Sequence, residues 1–107
     1  MPENQIVILC TVPDRGSGEQ IAQGLVSERL AACVNLLPGV VSIYRWDSKV
    51  EKANECLLII KTVSARFEAV RERIKAMHSY ELPEIIAVPI TDGDSNYLKW
   101  LSESSTK

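Results

Sequence analysis

The stretch that decides the fold is residues 31–63, AACVNLLPGVVSIYRWDSKVEKANECLLIIKTV. β-branched and aromatic residues fill 31–46 and again 50–63, and such residues favour strands. Only residues 47–49 separate the two runs, so the runs must pair as an antiparallel hairpin. The Pro-Gly pair at 38–39 interrupts the first run, which predicts a β-bulge or bend there.

The segments on either side of the hairpin complete the pattern. An apolar run at 5–12 predicts a strand, and residues 17–29 have helical spacing. After the hairpin we expect a helix beginning at Ser64, a fourth strand at 85–91 and a short helix at 95–102. The order β-α-β-β-α-β is that of a ferredoxin-like α+β fold, here with a short C-terminal helix.

Right-handed crossovers in this fold predict the strand order 4-1-3-2. Strand 4 is then an edge strand, which agrees with Pro89, because proline cannot donate to an inner ladder. The hairpin arms, of 14 to 16 residues, overhang a domain of this size. Strands 1 and 3 are apolar on both faces although the topology puts both helices on one face. We therefore expect another copy of the chain to cover the second face.

Local signals predict how the helices begin and end. Ser17 with Gln20 matches a capping box, and Ser64 is expected to cap the second helix. That helix carries a core stripe at i, i+3, i+7 and i+10, which consists of Phe67, Val70, Ile74 and Met77. The tail, residues 102–107, is expected to fray.

The bulk properties exclude several classes of protein. The 107 residues fit one domain, so we take 1–107 as a single unit. A net charge of -2 without a basic stripe predicts neither a nucleic-acid nor a membrane partner. The first residues are not typical of a secretory leader. Three dispersed cysteines without a CxxC pair exclude a zinc ribbon and favour a reducing compartment, so a cytoplasmic location is expected.

The sequence also lacks the usual signs of catalysis. No GxGxxG or GxxxxGK[ST] motif is present, and no organic cofactor is expected. With one histidine, a nucleophile-base pair is poorly supported, and we expect the protein not to be an enzyme.

The segment HSYELPEI, residues 78–85, is the strongest candidate site. Strand 1 runs antiparallel to strand 4, so the end of strand 1 lies beside the start of strand 4. Cys10, near the end of strand 1, should therefore lie close to the segment 78–85. Cys10, His78 and Met77 offer a thiolate, an imidazole and a thioether, which are soft donors that suit copper, especially Cu(I). From residue types alone the structural alternative is stronger: Cys10 and Met77 belong to the core, and His78 interacts favourably with a helix C-terminus.

Five motifs occur in one order along nearly the whole chain. They are VILCTVPD at 7–14, ERLAACVNLLPGVVSIYRW at 28–46, KTV at 61–63, HSYELPEI at 78–85 and YLKWL at 97–101. Together they closely resemble the CutA family, the divalent-cation tolerance proteins. The resemblance implies a ferredoxin-like subunit in a homotrimer whose long hairpins reach neighbouring subunits. It also implies a response to copper and other metal ions, with copper bound as Cu(I) or Cu(II).

The family's metal residues transfer only in part. Cys10 and His78 match the family cysteine and histidine, whereas Met77 stands where some members have a second histidine. That change argues against a Cu(II) or Zn(II) site built on two imidazoles and leaves a Cu(I) site open. Ser79 replaces a usual proline, and Ser48 replaces a usual glycine in the hairpin turn.

Two alternatives to metal binding remain open. The resemblance extends to the PII signalling proteins, whose architecture has clefts between subunits. An intersubunit cleft that binds a small ligand would use Lys61, Tyr80, Glu81, Glu84 and Trp46. The favoured role of Trp46 is contact with a neighbouring subunit, since aromatic residues anchor interfaces. The other alternative is a stable scaffold for an unknown partner.

Overall fold

The computed structural model describes residues 4–106, and its elements follow the predicted order. The strands are β1 (Gln5–Val12), β2 (Cys33–Trp46), β3 (Lys49–Val63) and β4 (Ile86–Pro89); the helices are α1 (Arg15–Ser27), α2 (Phe67–Met77) and α3 (Ser95–Ser104). A 3₁₀ turn, Ser64–Arg66, joins β3 to α2. Residues 1–3, where no secretory leader is expected, and residue 107 of the tail lie outside the described range.

The strands form one antiparallel sheet in the order β2-β3-β1-β4, which confirms the ferredoxin-like arrangement. β4 lies at an edge, where the missing N–H of Pro89 leaves no inner ladder incomplete. Leu9 pairs with Ile86. The end of β1 therefore meets the segment entering β4, as the topology predicts.

Alternation along the strands gives the sheet two different faces. The even-numbered residues 6–12 of β1 are buried in a core cluster with residues of α1 and α2, and we name this side the helix face. Val70 and Ile74 of the predicted α2 stripe are fully buried there, whereas the first and last members are partly buried. The opposite side, which carries the odd-numbered residues 5–11 of β1, is named the open face.

One end of the open face is covered by α3. The Gln5 side-chain amide donates to Ser102 Oγ at 2.9 Å. The Lys61 ammonium lies 5.9 Å from the centre of the Tyr97 ring. The expectation that this face has no helix of its own is therefore wrong at this end, because the C-terminal helix folds back over the start of β1.

The predicted fraying of the tail is wrong for most of its length. α3 continues to Ser104, and Ser105 is fully buried. The Arg66 Nε donates to the Ser105 carbonyl at 2.7 Å, and Arg29 donates to the carbonyls of Glu103 and Thr106. Two arginines thus satisfy carbonyls that a helix end leaves without intrahelical partners.

Both capping predictions are wrong. Asp14, not Ser17, caps α1, and its carboxylate accepts from the Ser17 backbone N–H at 2.8 Å. Aspartate is a strong N-cap because its carboxylate satisfies an orphan N–H at the positive end of the helix. Ser64 starts the 3₁₀ turn instead of capping α2, and no side chain caps that turn.

The hairpin contains the predicted bulge. Leu37 pairs with Leu57 and Val40 pairs with Glu55, so β2 has one residue more than β3 between these pairs. Gly39 has a φ of 80° there, a conformation that glycine adopts freely. The extra residue reverses the face on which each later β2 side chain lies.

The hairpin ends in a turn of two residues. Trp46 pairs with Lys49, and Asp47 and Ser48 have φ values of 50° and 64°. Positive φ at both central positions is the geometry of a type I′ turn, which matches the twist of the strands. The arms project from the body, and the described residues extend over 45 × 25 × 22 Å.

Candidate functional site

The segment that follows α2 is held against the end of β1 by His78. Its Nε2 lies 2.7 Å from the Thr11 carbonyl oxygen, and its Nδ1 accepts from the Tyr80 backbone N–H at 3.1 Å. Both contacts are satisfied by a neutral imidazole that carries its proton on Nε2. His78 is therefore an anchor of this segment, with both ring nitrogens engaged.

Tyr80 ties the same segment to the hairpin. Its hydroxyl donates to Glu55 Oε2 at 2.6 Å, and its ring lies 4.6 Å from that of His78. Glu55 is only 8% exposed, the one buried charged side chain among the described residues. Burial first, and then the hydrogen bond to Glu55, raises the pKa of Tyr80 above its usual value. The phenol therefore stays protonated and keeps donating to the carboxylate.

Cys10 belongs to the helix face and is fully buried. Its Sγ lies 3.7 Å from the Thr11 carbonyl oxygen. Burial above all, and then the negative charges of Glu84 and Glu55, raises the pKa of the thiol to about 12. At neutral pH the group is a thiol, whereas metal ions bind the thiolate.

Met77 packs elsewhere in the helix layer. A methyl group built on Gly24 of α1 would lie 3.6 Å from the Met77 sulfur, so the thioether faces the neighbouring helix. Within residues 4–106 no three His, Cys, Asp or Glu side chains are grouped to hold a metal ion. Cys10, His78 and Met77 carry donor atoms that suit copper. In the folded subunit they do not form a preorganised metal site, because both nitrogens of the imidazole are hydrogen-bonded and the thiol is protonated.

A cavity of about 540 Å³ lies between the hairpin and the segment after α2. We name it the hairpin cavity. It is lined by Thr11, by Ser42, Tyr44, Arg45, Trp46 and Glu55 of the hairpin, and by residues 80–84. Its volume is in the range of small-molecule sites, about 300–1,000 Å³.

The bulge explains why aromatic side chains face this cavity. Directly paired residues share a face of the sheet, so Val40, opposite Glu55, lies on the open face. Counting by two from Val40 puts Ser42, Tyr44 and Trp46 on the open face as well. Without the bulge these three side chains would lie on the opposite side, away from Glu55.

The comparisons with known proteins agree with this fold and sequence pattern. A family model described as CutA1 divalent ion tolerance protein matches residues 6–104. The chain belongs to the CutA1 family. The resemblance inferred from the five motifs is thereby confirmed.

Sequence relatives carry the same family name. A divalent-cation tolerance protein CutA from Thermus thermophilus is 50% identical over 99 residues, which cover 92% of this chain and 96% of that protein. A chloroplastic CutA protein from Arabidopsis thaliana is 48% identical over 100 residues, 94% of this chain. The chain spans only 55% of that plant protein's length.

Solved CutA1 structures match the fold closely. CutA1 from Oryza sativa has a TM-score of 0.95 at 45% identity, with 98% of this chain and 96% of that chain covered. The Thermus thermophilus protein has a TM-score of 0.94 at 48% identity, with 95% and 99% covered. The α+β fold is therefore that of the CutA1 family.

The residues predicted for a CutA cleft are mostly brought together. Trp46, Tyr80, Glu81 and Glu84 line the hairpin cavity. Lys61 does not line it and lies over the Tyr97 ring at the other end of the open face. The residues predicted to bind metal are separate from the cavity residues, since neither Cys10 nor His78 lines the cavity.

The main addition to the predicted set is Glu55. It comes directly before the apolar run CLLII of β3, and an acidic residue beside such a run is an informative signal. Its partner Tyr80 is 25 residues away in sequence, so only the fold reveals the pair.

Among residues 4–106, none of the helices combines the length and the apolar character that a membrane span requires. Relatives carry names from different compartments: one is chloroplastic, and a CutA from Archaeoglobus fulgidus is called periplasmic. The cytoplasmic location of this chain therefore stays a prediction.

Proposed function

We propose that this protein acts as a homotrimer in tolerance of divalent cations, copper among them, without catalysing a reaction. The observation that supports this most is membership of the CutA1 family over residues 6–104. Three free cysteines support a reducing, cytoplasmic setting. No organic cofactor enters the proposal.

The surface of the subunit supports self-association. Large apolar side chains are exposed along the hairpin and β4: Val41, Ile43 and Val50 at 53 to 70%, and Ile86 and Val88 at 51 and 45%. The pairing puts the hairpin residues on the helix-face side of the sheet and the β4 residues on the open face, so they form two separate patches. Exposed apolar patches mark protein interaction sites. Residues from both strands of the projecting hairpin are among them, so the hairpin is the part of the chain best placed to reach a neighbouring copy.

The copper component of the proposal concerns Cys10, His78 and Met77. Their soft donors suit Cu(I). In the folded subunit the His78 ring is engaged by Thr11 and Tyr80, and the Cys10 thiol is protonated. Copper binding here therefore requires release of the imidazole and loss of the thiol proton.

Native mass spectrometry of the reduced protein, titrated with Cu(I) and then with Zn(II), tests both the homotrimeric assembly and copper binding. We expect a trimer that takes up one copper ion per subunit, with uptake lost in Cys10→Ser and His78→Ala. His78→Asn is the matched control, because the amide keeps a donor and an acceptor but is a poor ligand for copper.

Each result has a distinct meaning. Loss of copper in both His78 variants supports ligation, whereas loss only in the alanine variant shows that His78 acts through its anchoring contacts. A trimer that binds no copper contradicts direct binding. A monomer contradicts the proposed assembly.

The hairpin cavity supports a second candidate function, a PII-like module that binds a small ligand. Its volume of about 540 Å³ and its mixed aromatic and acidic lining support this use. Unexplained mass on the native protein, lost in Trp46→Ala, would favour this function over metal binding. A clean mass after mild purification would count against a tightly held ligand.

A further inference from the structure

We propose that the hairpin cavity binds an organic ammonium cation. The inference rests on the second proposed function, ligand binding in this cavity, and names the class of ligand. It concerns residues other than the proposed copper ligands, because Cys10 and His78 do not line the cavity.

Aromatic rings form a large part of the wall. Tyr44 and Trp46 lie on the open face of β2, and each is 44% exposed in the single subunit, before any contact with a neighbouring copy. Tyr80 adds a third ring from the segment after α2. A cation placed over the face of such a ring is attracted by the ring quadrupole, and several rings around one site are the usual arrangement for a quaternary ammonium group.

The charges of the lining favour a cation over an anion. Glu55, Glu81 and Glu84 line the cavity, against the single guanidinium of Arg45. A phosphate or carboxylate ligand would be repelled here, whereas an ammonium group would offset the surplus negative charge.

Glu55 supplies the most specific contact. One carboxylate oxygen accepts from Tyr80 at 2.6 Å, and the other has no hydrogen-bond partner among the described residues. Every fully buried side-chain oxygen or nitrogen among residues 4–106 has a hydrogen-bond partner. The second oxygen of Glu55 has none, so it must be partly accessible. Because Glu55 lines the cavity, we infer that this oxygen is accessible from the cavity. A carboxylate at 8% exposure with a free oxygen is stabilised by a cation beside it.

The arrangement favours an organic cation over a metal ion. Across residues 4–106 no three acidic side chains form a group that could hold a metal ion, so the three cavity carboxylates do not meet at one point. A cavity of about 540 Å³ is far larger than one ion. A quaternary ammonium group is broad and weakly hydrated, and it can contact several rings at once.

Choline is the probe, and 3,3-dimethylbutan-1-ol, in which carbon replaces the charged nitrogen, is its neutral isostere. The full chain carries Trp100→Phe, which leaves Trp46 as the only tryptophan. We expect choline to change the Trp46 fluorescence saturably. The neutral alcohol should bind at least about tenfold more weakly, the factor that corresponds to a modest cation–π contribution.

Charge-removing variants test the carboxylates. Glu55→Gln keeps an acceptor for the Tyr80 hydroxyl and removes the charge, and Glu84→Gln removes a second charge from the cavity lining. Each should weaken choline binding by about tenfold. Glu103→Gln is the matched control, since it removes the same charge from α3, outside the cavity. Its choline affinity should equal that of the parent.

The outcomes separate this inference from the proposed functions. Equal binding of choline and the alcohol overturns the cationic class but leaves the cavity as a ligand site. Binding of neither, in a trimer that still takes up copper, overturns the inference and leaves the metal function. The ligand-binding function is then decided separately, by whether the native protein carries an extra mass that Trp46→Ala loses. An equal loss in Glu103→Gln would show that net charge, not the cavity, governs binding, and would also overturn the inference.

Discussion

Alanine at Gly18 and alanine at Gly24 should change stability in opposite directions. Both glycines lie within α1, and replacing glycine by alanine inside a helix gains about 1 kcal/mol at either position when space allows. The surroundings differ, because Gly18 is buried against the sheet and Gly24 faces α2. The pair therefore isolates the effect of packing from that of helix propensity.

A methyl group on Gly18 has no room. It would lie 2.7 Å from Leu36 Cδ1 and 3.0 Å from Val12 Cγ2. The Leu36 side chain can rotate away, but Val12 is fully buried and stiff at its branched Cβ, so α1 must shift. Overpacking of this kind costs about 1–3 kcal/mol. After the propensity gain, Gly18→Ala should destabilise by about 0–2 kcal/mol.

A methyl group on Gly24 makes only ordinary contacts. Its nearest neighbours are the Met77 sulfur at 3.6 Å and Arg73 Nη2 at 3.8 Å. Gly24→Ala should therefore stabilise by about 1 kcal/mol. The two variants should differ in free energy of unfolding by about 1–3 kcal/mol, with Gly18→Ala the less stable.

Urea unfolding followed by circular dichroism measures this difference. All proteins must be compared at one protomer concentration, because assembly makes the midpoint depend on concentration. Unchanged m-values would show that the same surface is exposed in each case. If Gly18→Ala were as stable as Gly24→Ala, the close approach of α1 to Val12 and Leu36 would be refuted.

Three further predictions use the same assay. Ser48→Gly should stabilise the protein by about 1 kcal/mol, because glycine takes the positive φ of the turn without steric cost. An unchanged free energy of unfolding would contradict the type I′ geometry. Burial raises the pKa of Cys10 from 9.0 to about 12. The contribution of the protonated thiol to the free energy of unfolding is therefore complete below pH 9 and is lost as pH rises towards 12. Cys10→Ala should flatten that decline, and an equally steep decline would exclude the thiol as its source. The hydrogen bonds from Ser17 lower the pKa of Asp14 below its ordinary value of 3.8, so the stabilisation by the cap is lost as acid protonates the carboxylate below pH 3.8. Asp14→Asn should therefore lose less stability than the parent between about pH 5 and 3. Equal losses would contradict the cap.

Much of the fold follows from local pattern. Two strand-forming runs separated by three residues can only form a hairpin, and Pro89 is compatible only with an edge strand. The bulge at 38–39 was also predictable, because its Pro-Gly pair interrupts an otherwise continuous strand. Its consequence, that Tyr44 and Trp46 face Glu55, required the observed register.

The site was less predictable because its contacts join distant segments. His78 and Thr11 are 67 residues apart, and Tyr80 and Glu55 are 25 apart. Topology predicted that the segment after α2 meets the end of β1, but not that His78 engages a backbone carbonyl. Lys61 was predicted for an intersubunit cleft of the PII-like kind, and within one subunit its ammonium lies over the Tyr97 ring of α3.

The order of elements, the hairpin, the edge strand and the CutA1 family could all be predicted from the amino-acid sequence, because they depend on periodicity, turn residues and motifs that are local to the chain. Which side chains share a surface became known from the folded chain: Cys10 is separate from the cavity, Tyr80 bonds to Glu55, and α3 packs on the open face. Side-chain direction in a sheet depends on register, and one additional residue reverses it, so these contacts exist only once the strands have paired.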